Sequence, residues 1–166
     1  MAPGSCFHDG MDVRYFEDFA VGQRFRSNGT VTVTADDIKA FAAQFDPQPF
    51  HLDEDAALAS FFGGLAASGW HTAALTMRLL VDSDMRPAGG TIGAGGEEMK
   101  WPLAVRPGDV LRVEAEVLEV RASRSRPDIG IVKVQLTTFN QADQPVQMTR
   151  PALVVLRRRS GFGTLR

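Results

Sequence analysis

The spacing of hydrophobic and polar positions changes once along this chain, close to Gly89. Before that point apolar residues recur at helical intervals. Ile38, Phe41, Ala42 and Phe45 share one face of a segment that Thr34 and Asp37 open as an acidic capping box, which predicts a helix from Ala35. From Gly69 to Val81 the chain is apolar nearly all round, with Trp70, Ala73, Ala74, Leu75, Met77, Leu79, Leu80 and Val81, and with Ser68 as the expected N-cap. His71, Thr72 and Thr76 are its polar exceptions, expected to bond backbone or a neighbouring element. Such a helix is about 20 Å long, the width of a small sheet, and needs cover on several sides. The pattern therefore predicts a central helix wrapped by strands.

After Gly89 the period becomes two. Leu111, Val113, Ala115 and Val117 alternate with Arg112, Glu114 and Glu116; strand character returns over residues 129–139 and 146–156. Turns at Pro107-Gly108-Asp109 and at residues 140–144 separate these runs, so consecutive strands form an antiparallel meander. An earlier strand is expected over residues 24–33, and Tyr15-Phe16-Glu17-Asp18-Phe19 forms a short aromatic clasp ahead of it. Gly93-Ala94-Gly95-Gly96 lacks the spacing of a dinucleotide fingerprint or phosphate loop and marks a strand bend or a close approach of backbone or ligand.

Composition narrows the function classes. The 166 residues suit one domain, expected over residues 14–157, with a disordered N-terminal tail (1–13) and a C-terminal tail (158–166). A net charge of −2 supplies no basic field for nucleic acid or an anionic membrane, so an anionic ligand must be held locally. The single cysteine, Cys6, excludes an internal disulfide and thiolate-rich metal sites, and no metal is expected. The absence of a membrane-length apolar run or a secretory pattern makes the expected location cytoplasmic.

The candidate chemistry lies in Asp46-Pro47-Gln48-Pro49-Phe50-His51. Each proline fixes its own φ and drives the residue before it out of the helical region, so a kinked, stiffened loop is expected. An acid and an imidazole held there can share one water and transfer protons. Asp46 as a helix cap and His51 as a hydrogen-bonded loop residue fit the same letters. Asp53, Glu54 and Asp55 crowd the front of a second short helix, where they complement its dipole.

Together with Ser68-Gly69, Trp101-Pro102 and Val105-Arg106-Pro107-Gly108-Asp109, this loop resembles the MaoC-like dehydratases, the (R)-specific enoyl-CoA hydratases of the hot-dog fold. The family pattern is Asp, any residue, Asn, Pro, any residue, His; Gln48 stands here where Asn is usual. The resemblance, over residues 14–157, implies an α+β hot-dog fold: an antiparallel sheet wrapped around a long central apolar helix, paired as a homodimer or a dimer of dimers. It further implies catalytic roles for Asp46 and His51, with the Gly69 N–H on the thioester carbonyl. Gln48 and Ser68 are then substrate-binding, an acyl-CoA thioester is the substrate, and no separate cofactor is needed, coenzyme A arriving with the substrate. Lys100, Arg124 and Arg126 are candidates for the coenzyme A phosphates. Two alternatives stay open: a hot-dog acyl-CoA thioesterase, although several of those carry a carboxylate on the central helix and none occurs between Ser68 and Val81, and a non-catalytic acyl-CoA-binding protein.

Overall fold

The computed structural model describes residues 13–158, so the expected tails fall almost wholly outside the described residues. The hot-dog arrangement is present. Strands β4 (Val110–Ala122), β5 (Ile129–Phe139) and β6 (Pro145–Leu156) form the predicted antiparallel meander. Helix α4 (Gly69–Val81) contacts β4 and β6 of this sheet. Leu111, Val113, Ala115 and Val117 are buried, as their alternation requires.

Three features depart from the sequence pattern. First, β3 (Ile92–Lys100) does not lie beside β4, its neighbour in sequence; it pairs with the far side of β6, giving the order β1-β4-β5-β6-β3. The link from β3 to β4, residues 101–109, consequently has to travel past β6 and β5. The glycine run does bend β3, whose register shifts between Gly93 and Gly95.

Second, the strand expected over 24–33 is two short strands, β1 (Arg24–Arg26) and β2 (Val31–Thr32), both paired with β4. The intervening residues tie down the end of α4 instead: Ser27 bridges to Ser83, and the Asn28 side chain donates to the Asp82 carbonyl at 2.6 Å.

Third, α4 buries His71, Thr72 and Thr76 and shows much of its apolar surface. Thr72 and Thr76 donate to the carbonyls four residues back (3.3 and 2.8 Å), and the Thr138 hydroxyl completes Thr76 at 2.6 Å. With those groups satisfied the threonine face packs inward beside Leu79 and Leu80. Trp70, Met77 and Val81, a stripe at helical spacing, are about half exposed or more. Within one chain the helix is wrapped on one side only.

The aromatic clasp closes the other end of the sheet. Phe16 lies against Gly130 of β5 where any side chain would collide, and Glu17 and Asp18 bind Arg157 and Arg158. Arg158 is thus held to the clasp.

Candidate active site

Helix α1 (Ala35–Phe45) opens with the expected capping box: Thr34 Oγ1 accepts from the Asp37 N–H at 3.1 Å, and Asp37 accepts from the Thr34 N–H at 3.2 Å. Ile38 and Ala42 anchor its buried face, while Phe45 is exposed. The helix ends at Asp46, whose φ of −152° and ψ of 67° leave the helical region ahead of Pro47. Gln48 is extended, as expected. Beyond it the chain makes a helical turn rather than a kinked loop. Pro49 occupies the first position of α2 (Pro49–Leu52), where its fixed φ suits a helix and its missing N–H costs nothing, so His51 stands on a rigid turn. Asp53 then caps α3 (Glu54–Leu58) through the Ala56 N–H at 2.8 Å.

These elements meet the start of α4 around a cavity of about 360 Å³ lined by Asp46, Gln48, His51, Ser68, Gly69 and Trp101, among others. His51 is buried, and its Nδ1 lies 2.7 Å from the Ala66 carbonyl oxygen. A carbonyl only accepts, so Nδ1 carries a proton, and in the neutral form of the ring Nε2 is bare. Nε2 lies 3.4 Å from Asp46 Oδ2. The same Oδ2 accepts from the Ser68 hydroxyl at 2.6 Å, and Oδ1 accepts from the Gln48 amide at 2.6 Å. The Ser68 hydrogen bond, helped by Gln48 and by positive charge on His51 when that ring is protonated, holds the Asp46 carboxyl below the usual carboxylate range although burial pushes it upward. Gln48 therefore keeps an amide on the carboxylate despite its extra methylene.

Ser68 also caps α4, its Oγ accepting from the Trp70 N–H at 3.2 Å. One hydroxyl thus joins the acid to the helix start. The Gly69 N–H belongs to the first turn, where backbone donors have no helical acceptor, and it has no partner among the described residues. Gly69 is glycine for a steric reason: a methyl group there would come within 2.8 Å of the Trp101 ring. Trp101 is itself fixed by donating Nε1–H to Gln147 at 2.9 Å.

Five of the residues picked from sequence, Asp46, His51, Gly69, Gln48 and Ser68, are thus brought together. Lys100 is not among those lining the cavity, although it adjoins Trp101, and it pairs with Glu98 at 3.0 Å. Arg124 and Arg126 are not brought to the cavity of their own chain. They occupy the turn after β4, whose thirteen residues extend about 40 Å from the Pro107-Gly108-Asp109 end, and Arg126 is bound to Asp128 at 2.6 Å. Sequence reasoning missed Ala66, which acts through its backbone and leaves no side-chain signal, and the packing role of Trp101. An aromatic just after a strand, beside a family motif, was the signal available for Trp101.

Comparison with known proteins places the chain in a family. The MaoC-like domain family model matches residues 18–140. A curated relative, the uncharacterized protein YdeM of Bacillus subtilis, is 36% identical over 132 residues, covering 78% of this chain and 90% of its own length. The crystal structure of a MaoC-like dehydratase from Rhodospirillum rubrum superposes with a TM-score of 0.84 at 57% identity, covering 88% of this chain and 99% of that one. The unliganded R-hydratase PhaJ1 of Pseudomonas aeruginosa superposes with a TM-score of 0.69 at 28% identity, covering 87% and 86%. The chain belongs to the MaoC-like domain family.

Proposed function

We propose that this protein is a hydro-lyase, an (R)-specific enoyl-CoA hydratase working in reverse as a 3-hydroxyacyl-CoA dehydratase. The observation that carries the proposal is the 3.4 Å approach of His51 Nε2, the nitrogen left bare in the neutral ring, to a carboxylate oxygen of Asp46. Two lone pairs facing each other repel unless hydrogens lie between them. A water donating one O–H to each satisfies both and leaves its oxygen lone pair free to attack.

In hydration, the thioester carbonyl oxygen accepts from the Gly69 N–H at the positive end of α4, where charge accumulating during addition is stabilised. His51 Nε2 takes a proton from water as the water oxygen bonds to the β-carbon. Asp46 holds the second O–H, and the same acid and imidazole return a proton to the α-carbon. Dehydration runs these steps backward.

The acyl tail has a place nearby. A mainly apolar cavity of about 300 Å³ lies between α4 and strands β3 and β6, bounded by Thr76, Met77, Leu80, Gln147 and Leu153, among others, next to the Trp101–Gln147 hydrogen bond. Lys100, adjoining Trp101, is the proposed contact for a coenzyme A phosphate. The exposed stripe Trp70, Met77 and Val81, together with Ile92 and Met99 on edge strand β3, is the proposed face on which two copies pair as a homodimer. Light scattering on purified protein checks the pairing, which a monomer would refute.

Absorbance at the enoyl thioester band, run beside a free-thiol assay over enoyl-CoAs from short to long, tests the activity. Loss of the band without thiol release is expected. Thiol release would make the protein a thioesterase, and retained binding with neither signal would make it a binding protein.

A further inference from the structure

The tautomer of His51 rests on one backbone carbonyl, and that carbonyl lies in a segment held from outside the site. Residues 62–67 lie in the connection from α3 to α4 and include Gly63 and Gly64, whose φ values of +61° and +155° favour glycine. Left to itself such a segment has many conformations. Arg106 closes it down: Nη2 donates to the Phe62 carbonyl at 2.5 Å, and Nη1 donates to the carbonyls of Gly64 at 2.7 Å and Leu65 at 3.2 Å. On the far side of Ala66, the Ala67 N–H donates to the Val105 carbonyl at 2.8 Å. Ala66 is thus clamped on both flanks by two adjacent residues of the β3–β4 link. Its own carbonyl is left to take the His51 Nδ1–H at 2.7 Å.

Arg106 is itself anchored. Its N–H donates to Asp109 Oδ2 at 2.7 Å, and Asp109 Oδ1 accepts from the Gln141 amide at 2.9 Å. A guanidinium suits this work because its planar fork presents several N–H donors in fixed directions, so one side chain can meet three carbonyls at once.

We propose that Arg106 is a positioning residue of the site: by gathering the carbonyls of Phe62, Gly64 and Leu65 it aims the Ala66 carbonyl at His51 Nδ1 and so keeps Nε2 bare towards Asp46. Its kinetic consequence rests on the hydratase reading, but the effect on the imidazole does not. With the clamp released, the Ala66 carbonyl moves away, Nδ1–H loses its acceptor, and the proton is free to settle on Nε2, where it bonds Asp46 and blocks the base.

Nitrogen-15 NMR of the histidine rings separates this role from simple loop stabilisation, which would lower the melting temperature and leave the ring unchanged. The native protein is expected to show His51 protonated at Nδ1 and bare at Nε2. Arg106→Ala should shift population to the Nε2–H form and lower kcat about 10- to 100-fold with KM within about twofold, the scale of a small misplacement of a reacting group. Arg106→Lys, with one nitrogen in place of two, should recover melting temperature better than it recovers the native ring. If the alanine variant does not fold, the lysine variant decides by the same spectrum. An Nδ1–H signal unchanged in a folded variant, or native His51 protonated at Nε2, overturns the proposal. Native protein that turns over no enoyl-CoA would instead defeat the hydratase reading, while the spectra would still decide the role of Arg106.

Discussion

His51 and His71 are both buried, 4% and 6% exposed, and each lines a cavity, of about 360 and 400 Å³ respectively. Under the proposed function one transfers protons and the other does not. Both nitrogens of His51 are assigned, Nδ1 to a carbonyl and Nε2 to the space beside an ionised acid. His71 lies flat on Phe41, with ring centres 4.7 Å apart and planes 8° from parallel, and its buried Nδ1 has no hydrogen-bond partner. Burial drives its pKa below the ordinary value, opposed by the charge of Asp37. Burial beside a cavity is therefore not what distinguishes the two imidazoles; a fixed proton on one nitrogen and an acid facing the other are.

Substitution of the acid and of each imidazole is the strongest way to break this contrast. Asp46→Asn and His51→Gln should each lower turnover about 10²- to 10⁴-fold in the enoyl-CoA assay, the usual range for general acid–base groups. His71→Phe, which keeps the stack on Phe41, should stay within about twofold of native. A His71 variant as damaged as the His51 one would erase the distinction and move the site towards the other cavity.

A smaller effect is expected from crowding the site without touching its proton chemistry. Gly69→Ala puts a methyl group against the Trp101 ring, so either the helix start or the indole must move. A loss of up to about 100-fold in kcat is expected from the displaced N–H. Adding Trp101→Leu should recover part of that loss by making room. If the double variant is no better than Gly69→Ala alone, contact with the indole is not what keeps residue 69 a glycine.

Much of this site could be read from the letters because its parts are local. The capping box at Thr34 and Asp37 placed α1, the prolines placed its end at Asp46, and Ser68 placed the start of α4. Each signal acts within four residues. Long-range choices left no such mark. Whether β3 pairs with β4 or with β6 depends on which edge is free once the meander has formed, and the alternation of β4 is satisfied either way. The polar inner face of α4 depended on Thr138, 62 residues beyond Thr76. Arg124 and Arg126 looked suitable for phosphates because charge is visible in a sequence and distance is not.

The finest test of the two imidazoles is thermodynamic and needs no substrate. In the folded chain burial holds His71 neutral with a lowered pKa, whereas in the unfolded chain it titrates near the ordinary histidine value of 6.5. As pH falls below that value the unfolded state binds a proton that the folded state refuses, so stability present above it is lost as pH falls towards the folded pKa. Urea unfolding of His71→Phe should show a shallower fall in stability between neutral and moderately acid pH than the native protein shows. At a pH of about 7.5, a unit above that ordinary value, the variant should be no less stable, and as much as about 1 kcal/mol more, because an unpartnered buried polar nitrogen has been replaced by an apolar edge. Identical pH slopes for native and variant would mean that His71 takes up its proton as readily folded as unfolded, and that the stack on Phe41 tolerates the charge.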